Sequence, residues 1–278
     1  MNKDSITQKL RNRAKELDLN YNLVLSKFFF DEFLKLISIS VHRENFMLKG
    51  GMLLTYTLGV QNRSTQDIDF LVKGFPIKTI ELKRILKEIL GNTNKKDIWF
   101  ELNDTVEEIK EEDKYGGLRF HVIGHLANIR IPFIIDIATG DPIYPLPKLE
   151  RYSTILGDNI ELNMYPLETV LSEKLQTILT RAENNSRSKD FYDIYMIFKL
   201  KNNKIDVNNL KQAIWETAKN RNSTEEILES KEILEDIKND EYLNKQWNIY
   251  KKENKYVDNI QFSEILKLLN KIADIVQE

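Results

Sequence analysis

Two aspartates one residue apart, Asp67 and Asp69, open an otherwise apolar run, "DIDFLV". A strand turns successive side chains to opposite faces, so both carboxylates share one face, roughly 6–7 Å apart along the chain, with Ile68 on the other. At that separation they repel, and one resists ionising unless a cation lies between them. Mg²⁺ or Mn²⁺, held by one or two carboxylates and completed by water and phosphate oxygens, would remove the repulsion. The plain alternative is a pair at a sheet edge facing water. Asp136 lies inside a second apolar run, "IPFIIDIATGD", where a lone carboxylate costs several kcal/mol unless paired or metal-bound. It is the natural third ligand, unless it sits at a strand end and reaches solvent. Gly50 and Gly51 precede a short apolar stretch that ends at Gly59. Glycines at a helix N-terminus leave N–H groups open to a phosphate, which the helix dipole also favours; a turn before a core helix would use the same residues. Lys174 sits in "LETVLSEKLQTIL", and "RSKDFYD" places Asp190 and Asp193 on one helix face beside Arg187 and Lys189. Such cations suit triphosphate charge, or they simply pair with neighbouring acids on a helix surface.

These residues need elements to hold them. All ten glycines lie between Gly50 and Gly157, and all six prolines between Pro76 and Pro166. Gly and Pro cost roughly 1 and 3 kcal/mol inside a helix, so the chain divides into a helical N-terminal arm, a turn-rich middle and a helical C-terminal half. The arm begins with a helix for which Asp4 or Ser5 is the cap. In the middle, "DIDFLVK", "IWFELND", "LRFHVIGHL" and "IRIPFIIDIA" read as strands, the last two an antiparallel ribbon with a short link near Asn128. A helix over "PIKTIELKRILKEILGN" stops at Gly91, and the charge run Glu107–Asp113 reads as an exposed turn. After "PLPKL" comes a polar connection. Helical patterns then fill the remainder, including "STEEILESKEILEDIKND", where Ser223 and Glu226 have capping-box spacing. The fold class is α+β, a mixed sheet with helices followed by an all-helical bundle, divided into domains 1–165 and 166–278.

Composition narrows the chemistry. The chain has 278 residues, a net charge of −2, no cysteine and three histidines. Without cysteine there are no disulfides, zinc-thiolate sites or cysteine nucleophiles, and a reducing cytoplasm is the expected compartment. Any metal is expected on oxygen ligands. No apolar run is long enough to span a membrane. Nucleic-acid binding would need a local patch. Lys211, Trp215, Lys219 and Arg221, with Lys245, Trp247, Tyr250, Lys251 and Lys252, could track RNA, although such residues also build ordinary bundle surfaces and cores.

In order, "LKGGMLLTY…RSTQDIDFLV" (48–72), "SEKLQTIL" (172–179) and "RSKDFYDIYMI" (187–197) resemble the AbiEii/AbiGii nucleotidyl transferase toxins, within the polymerase-beta type of nucleotidyltransferase superfamily. The resemblance covers roughly residues 46–200. It implies a bacterial abortive-infection toxin active against phage, paired with an antitoxin encoded alongside. It implies a metal-dependent transferase that moves NMP from a nucleoside triphosphate, with GTP suggested for type members, to an acceptor such as tRNA. Carried over, Asp67, Asp69 and Asp136 hold metal, with Asp136 alternatively the base on the acceptor hydroxyl. Gly50, Gly51 and Ser64 cradle phosphates. Lys174 neutralises triphosphate charge. Lys189, Asp190 and Asp193 complete the site, and Asp193 steers the nucleophile or holds Lys174. Two other readings share these residues: a scaffold that binds nucleotide or RNA without turnover, and a transferase whose acceptor is a protein or small molecule.

Overall fold

The computed structural model describes residues 3–75, 78–91, 98–109, 116–257 and 259–277. The chain forms two compact units, the first Met1–Gly140 with Lys148–Met164, the second Asp141–Pro147 with Tyr165–Glu278.

The first unit is built on one mixed sheet. Its elements run α1 (Lys3–Glu16), α2 (Tyr21–Ile39), β1 (Phe46–Lys49), α3 (Gly50–Leu58), β2 (Asp67–Val72), α4 (Thr79–Gly91), β3 (Ile98–Ile109), β4 (Gly117–Leu126), β5 (Ile129–Ala138), β6 (Lys148–Ser153) and β7 (Asn159–Met164). The seven strands lie in the order β3-β4-β5-β2-β1-β7-β6. β2 and β5 are parallel, while β4 pairs antiparallel with β5, as the ribbon reading expects. α2 covers one face. Phe33 meets Phe70, and Phe30 meets Phe133 with centroids 5.2 Å apart. Phe28, Phe29, Phe30 and Phe33 are all buried, each contributing about 1.5–3 kcal/mol. The N-terminal segment is therefore part of the core rather than an arm. A buried cluster fastens it: Lys27 pairs with Asp31 and donates to the Tyr152 hydroxyl at 2.6 Å, while Asp31 accepts from the Ile155 N–H at 2.6 Å.

Other sequence readings are corrected. The stretch after "PLPKL", read as a polar connection, holds most of β6 and all of β7, with β7 parallel to β1. Exposed side chains on four of the first five positions of β6 hide its strand character. Asp4 lies inside the first turn of α1. The run Glu107–Asp113 is strand as far as Ile109, and its remainder lies outside the described residues, as does the start of the segment read as the α4 helix.

The second unit is helical: α5 (Leu167–Arg181), α6 (Ser188–Lys201), α7 (Val207–Asn220), α8 (Thr224–Leu228), α9 (Ser230–Asn239), α10 (Glu241–Glu253) and α11 (Phe262–Gln277). Ile265, Leu269, Ile272 and Val276 form the buried stripe of α11. Two aspartates cap helices, Asp206 accepting from Asn209 N–H and Asp240 from Leu243 N–H. The capping box at Ser223 is not formed; its side chain makes no cap hydrogen bond, and the segment after it is divided into α8 and α9.

Candidate active site

β2 and β5 carry the first group of acids. In their parallel register Asp69 sits opposite Asp136 and Asp67 opposite Ile134. Ile68 and Phe70 face the α2 core and are fully buried, whereas the three aspartates lie, partly exposed, on the other face. One carboxylate oxygen from each of Asp67, Asp69 and Asp136 lies within 4.8 Å of the others. The strand period and the β2–β5 pairing thus bring together acids far apart in the chain.

The glycine pair is fitted to these acids. β1 ends at Lys49, and α3 begins at once with Gly50 at φ +60°. A side-chain carbon at Gly50 would lie 2.0 Å from Asp69 Oδ2, and one at Gly51 would lie 2.3 Å from Thr65 Oγ1. Only glycine lets the turn approach so closely. Gly51 N–H donates to Asp69 Oδ2 at 3.0 Å, and the Thr65 hydroxyl donates to Asp67. The N-terminus of α3 therefore borders the acids and already favours negative charge there.

The electrostatics call for a cation. Burial, then the charge of Asp67, pushes the Asp69 carboxyl up to about 6 from 3.8, against the opposing pull of Gly51 N–H and Lys49. Asp136 is not a lone carboxylate. Arg119 on β4 grips both of its oxygens, Nε to Oδ1 at 2.9 Å and Nη2 to Oδ2 at 2.8 Å. That grip holds Arg119 charged well beyond its ordinary range, with the Asp136 hydrogen bonds the leading cause. Sequence reading missed Arg119 and Thr65. An all-oxygen donor set of three close acids, one resisting ionisation, fits a hard divalent cation. Ser64 is half-buried, and its carbonyl accepts from Arg63.

The second unit gathers the remaining candidates. Lys174 on α5 reaches Asp190 Oδ1 at 2.6 Å and Asp193 Oδ2 at 2.8 Å on α6. Arg187 Nε lies 3.0 Å from Asp190 Oδ2, and Lys189 is exposed. Asp190 and Asp193 are buried. Burial opposes the charge on Lys174, but the two aspartates outweigh it and hold the ammonium above its ordinary pKa. Burial likewise opposes ionisation of Asp190, but Lys174 and Arg187 hold it below the usual carboxylate range. Of the residues read as an RNA track, Trp247 is core: it is buried and its indole donates to the Ile260 carbonyl at 3.2 Å. Among the described residues no helix is long and apolar enough to cross a membrane.

A model of the nucleotidyl transferase AbiEii toxins of type IV toxin–antitoxin systems matches residues 32–268. Among solved structures, a proposed nucleotidyltransferase from H. pylori aligns with a TM-score of 0.51 at 13% identity, covering 93% of this chain and 96% of that one. JHP933 from Helicobacter pylori gives 0.49 at 15% identity, covering 93% and 94%. At its identity, the first likeness is one of fold. No curated protein matches the sequence.

Proposed function

Because the chain belongs to the nucleotidyl transferase AbiEii toxins of type IV toxin–antitoxin systems, we propose that it transfers NMP from a nucleoside triphosphate to a hydroxyl of an RNA acceptor such as tRNA, in a metal-dependent reaction. The observation that carries this reading is the meeting of Asp67, Asp69 and Asp136 within 4.8 Å, at the N-terminus of α3. In the reaction an acceptor oxygen bonds to the α-phosphorus, the bond to pyrophosphate breaks, and the hydroxyl proton leaves to solvent or a nearby carboxylate.

Asp67, Asp69 and Asp136 would hold Mg²⁺ or Mn²⁺, which when bound supplies charge neutralisation for the attacking and leaving oxygens of an in-line displacement. Thr65 fixes the rotamer of Asp67, and Gly51 N–H fixes that of Asp69. Arg119 holds Asp136 by both oxygens, which orients the third carboxylate before substrate arrives. Gly50, Gly51 and Ser64 are assigned to the phosphates, where helix N–H groups and dipole favour anions. Within the second unit, Lys174 is kept charged between Asp190 and Asp193, and the exposed Lys189 beside them offers a cation to an anionic group. In the cell the activity would be countered by the cognate antitoxin that a toxin–antitoxin system entails, and its outcome would be abortive phage defence.

The test uses each labelled nucleoside triphosphate, GTP among them, with total RNA and Mg²⁺. Label should move to RNA, and Asp67→Ala should reduce transfer at least 100-fold, about 3 kcal/mol of transition-state stabilisation. Transfer that survives Asp67→Ala would contradict the assignment. Nucleotide binding without product would favour the binding scaffold, and label on protein or a small molecule would move the acceptor elsewhere.

A further inference from the structure

On the sheet face that carries the acids, strand register lines up a row of charges. Lys49 of β1 stands opposite Asp69 of β2, and Asp69 opposite Asp136 of β5. Asp136 stands opposite Arg119 of β4, and Arg119 opposite Glu107 of β3. The row reads cation, acid, acid, cation, acid, so each of the two central acids has a cation at its outer side. In an antiparallel pair, directly opposed residues share a face with Cβ atoms about 4.5–5.5 Å apart, which puts Lys49 beside Asp69.

The two cations are engaged differently. Arg119 commits its fork to Asp136, one nitrogen to each oxygen. Lys49 acts on Asp69 through its charge, drawing that carboxyl down against burial and Asp67. It is half-buried, and its ammonium is a compact charge with rotatable donors on a flexible stem. Lys49 is also the last residue of β1, directly before Gly50, where the chain turns into α3. Among the described residues the pairing of β1 with β7 stops at Leu48, so no paired strand flanks Lys49 on the side away from Asp69. One residue thus adjoins the acids through register and the anion-favouring N-terminus of α3 through the chain.

That double adjacency suits a metal-bound polyphosphate. A divalent cation on the acids would offset the charge of Asp69, and the anion that the α3 N–H groups favour would arrive beside Lys49. A strand-end lysine followed by glycines that open a helix sets a point charge and backbone donors on one ligand. The phosphorus under attack must lie over the acids, whereas Lys49 stands at the outer end of the row, within reach of the phosphates beyond it. We propose, on the premise of the transfer reaction above, that Lys49 binds the pyrophosphate portion of the nucleoside triphosphate. As the acceptor oxygen bonds to the α-phosphorus, the bond from that phosphorus to the bridging oxygen breaks and its electron pair leaves with pyrophosphate. The Lys49 ammonium offsets the charge that gathers there.

The test is isothermal titration of the full chain with Mg²⁺ and no RNA, using each of the four nucleoside triphosphates and the matching monophosphates. Lys49→Met should weaken triphosphate binding roughly 10- to 100-fold, as loss of a charge-assisted contact predicts, and leave monophosphate binding within about 2-fold. Lys49→Arg should keep most of the preference for triphosphate. Mn²⁺ binding without nucleotide, read by electron paramagnetic resonance, should be as tight in Lys49→Met as in wild type or tighter, since a like charge leaves the acids. Should Lys49→Met fail to fold, Lys49→Gln carries the same comparison. Equal losses for triphosphate and monophosphate, no loss for either, weaker Mn²⁺ binding, or a wild type without preference for triphosphate would each overturn the assignment. A triphosphate preference that vanishes in Lys49→Met, in a protein that transfers no label to RNA, would support the Lys49 assignment and sink the transfer reading. Label transfer in a protein whose triphosphate preference survives Lys49→Met would do the reverse.

Discussion

The acid cluster should cost the protein stability that a single neutral substitution recovers. Asp69 titrates near 6 when folded, against 3.8 as an ordinary carboxyl, because burial and then Asp67 oppose its charge. A raised carboxyl pKa means that the folded state holds the proton between those two values while the unfolded state has released it. Stability therefore falls as pH rises from about 4 to about 6, and the full cost is present above 6. A shift of about 2 units at 1.36 kcal/mol each gives roughly 3 kcal/mol. Asp69→Asn removes the charge but keeps an oxygen to accept from Gly51 N–H. Without divalent ions at pH 8, the variant should melt above wild type by as much as about 6–12 °C, taking roughly 2–4 °C per kcal/mol for a unit of this size. Near pH 4 the two curves should meet. Mg²⁺ should raise the melting temperature of wild type and leave the variant nearly unmoved, while transfer activity is lost in the variant. Thermal unfolding across pH 4–8, with and without Mg²⁺, measures all of this. A variant no more stable than wild type at pH 8 would refute the reasoning, since the acids would then not be in conflict.

Gly50→Ala puts a methyl group 2.0 Å from Asp69 Oδ2 at a positive φ, so it should cost about 1–3 kcal/mol and abolish transfer; an unchanged melting curve would contradict the fitted turn. Arg119→Gln removes a partly exposed ion pair from Asp136 and should cost only about 1 kcal/mol. It should also shrink the Mg²⁺-induced rise in melting temperature, because Asp136 loses the two hydrogen bonds that orient it; an unchanged rise would count against that positioning role. Lys174→Met leaves Asp190 and Asp193 buried without their shared cation, a loss of about 3–5 kcal/mol by the rule for broken buried pairs, read as a lowered unfolding transition. In wild type, the Asp190 contribution is present above the ordinary carboxylate pKa and fades as acid passes its lowered value, while that of Lys174 is present below 10.5 and fades as pH climbs through its raised value. Lys174→Met should flatten both ends of the pH–stability curve.

Much of the acid cluster could be read from residue order alone, because strand geometry is nearly deterministic over short spans. "DIDF" fixes two carboxylates on one face whatever the sheet does. Arg119 was within reach as well. With Leu126 opposite Ile129 across the Ala127–Asn128 link, counting back along both strands lands Arg119 on Asp136. The place of Lys49 was out of reach, since it depends on the register in which β1 pairs with β2. β6 escapes because its mostly exposed side chains leave no alternation to detect, and β7 because its more exposed first half gives way to three consecutive buried residues. α2 was legible as a helix, but its place against Phe70 and Phe133 comes from tertiary packing. The glycine pair was read as a place for phosphate. The structure adds a second reason for it, the close approach of Asp69 and Thr65.

The central claim is that acids from β2 and β5 clasp one divalent cation for nucleotidyl transfer. A crystal grown with Mn²⁺ and a non-hydrolysable nucleoside triphosphate, measured for anomalous scattering, tests it most directly. The strongest anomalous peak should touch carboxylate oxygens of Asp67, Asp69 and Asp136 together with a phosphate oxygen. Nucleotide density elsewhere, with no Mn²⁺ among these three side chains, would contradict it.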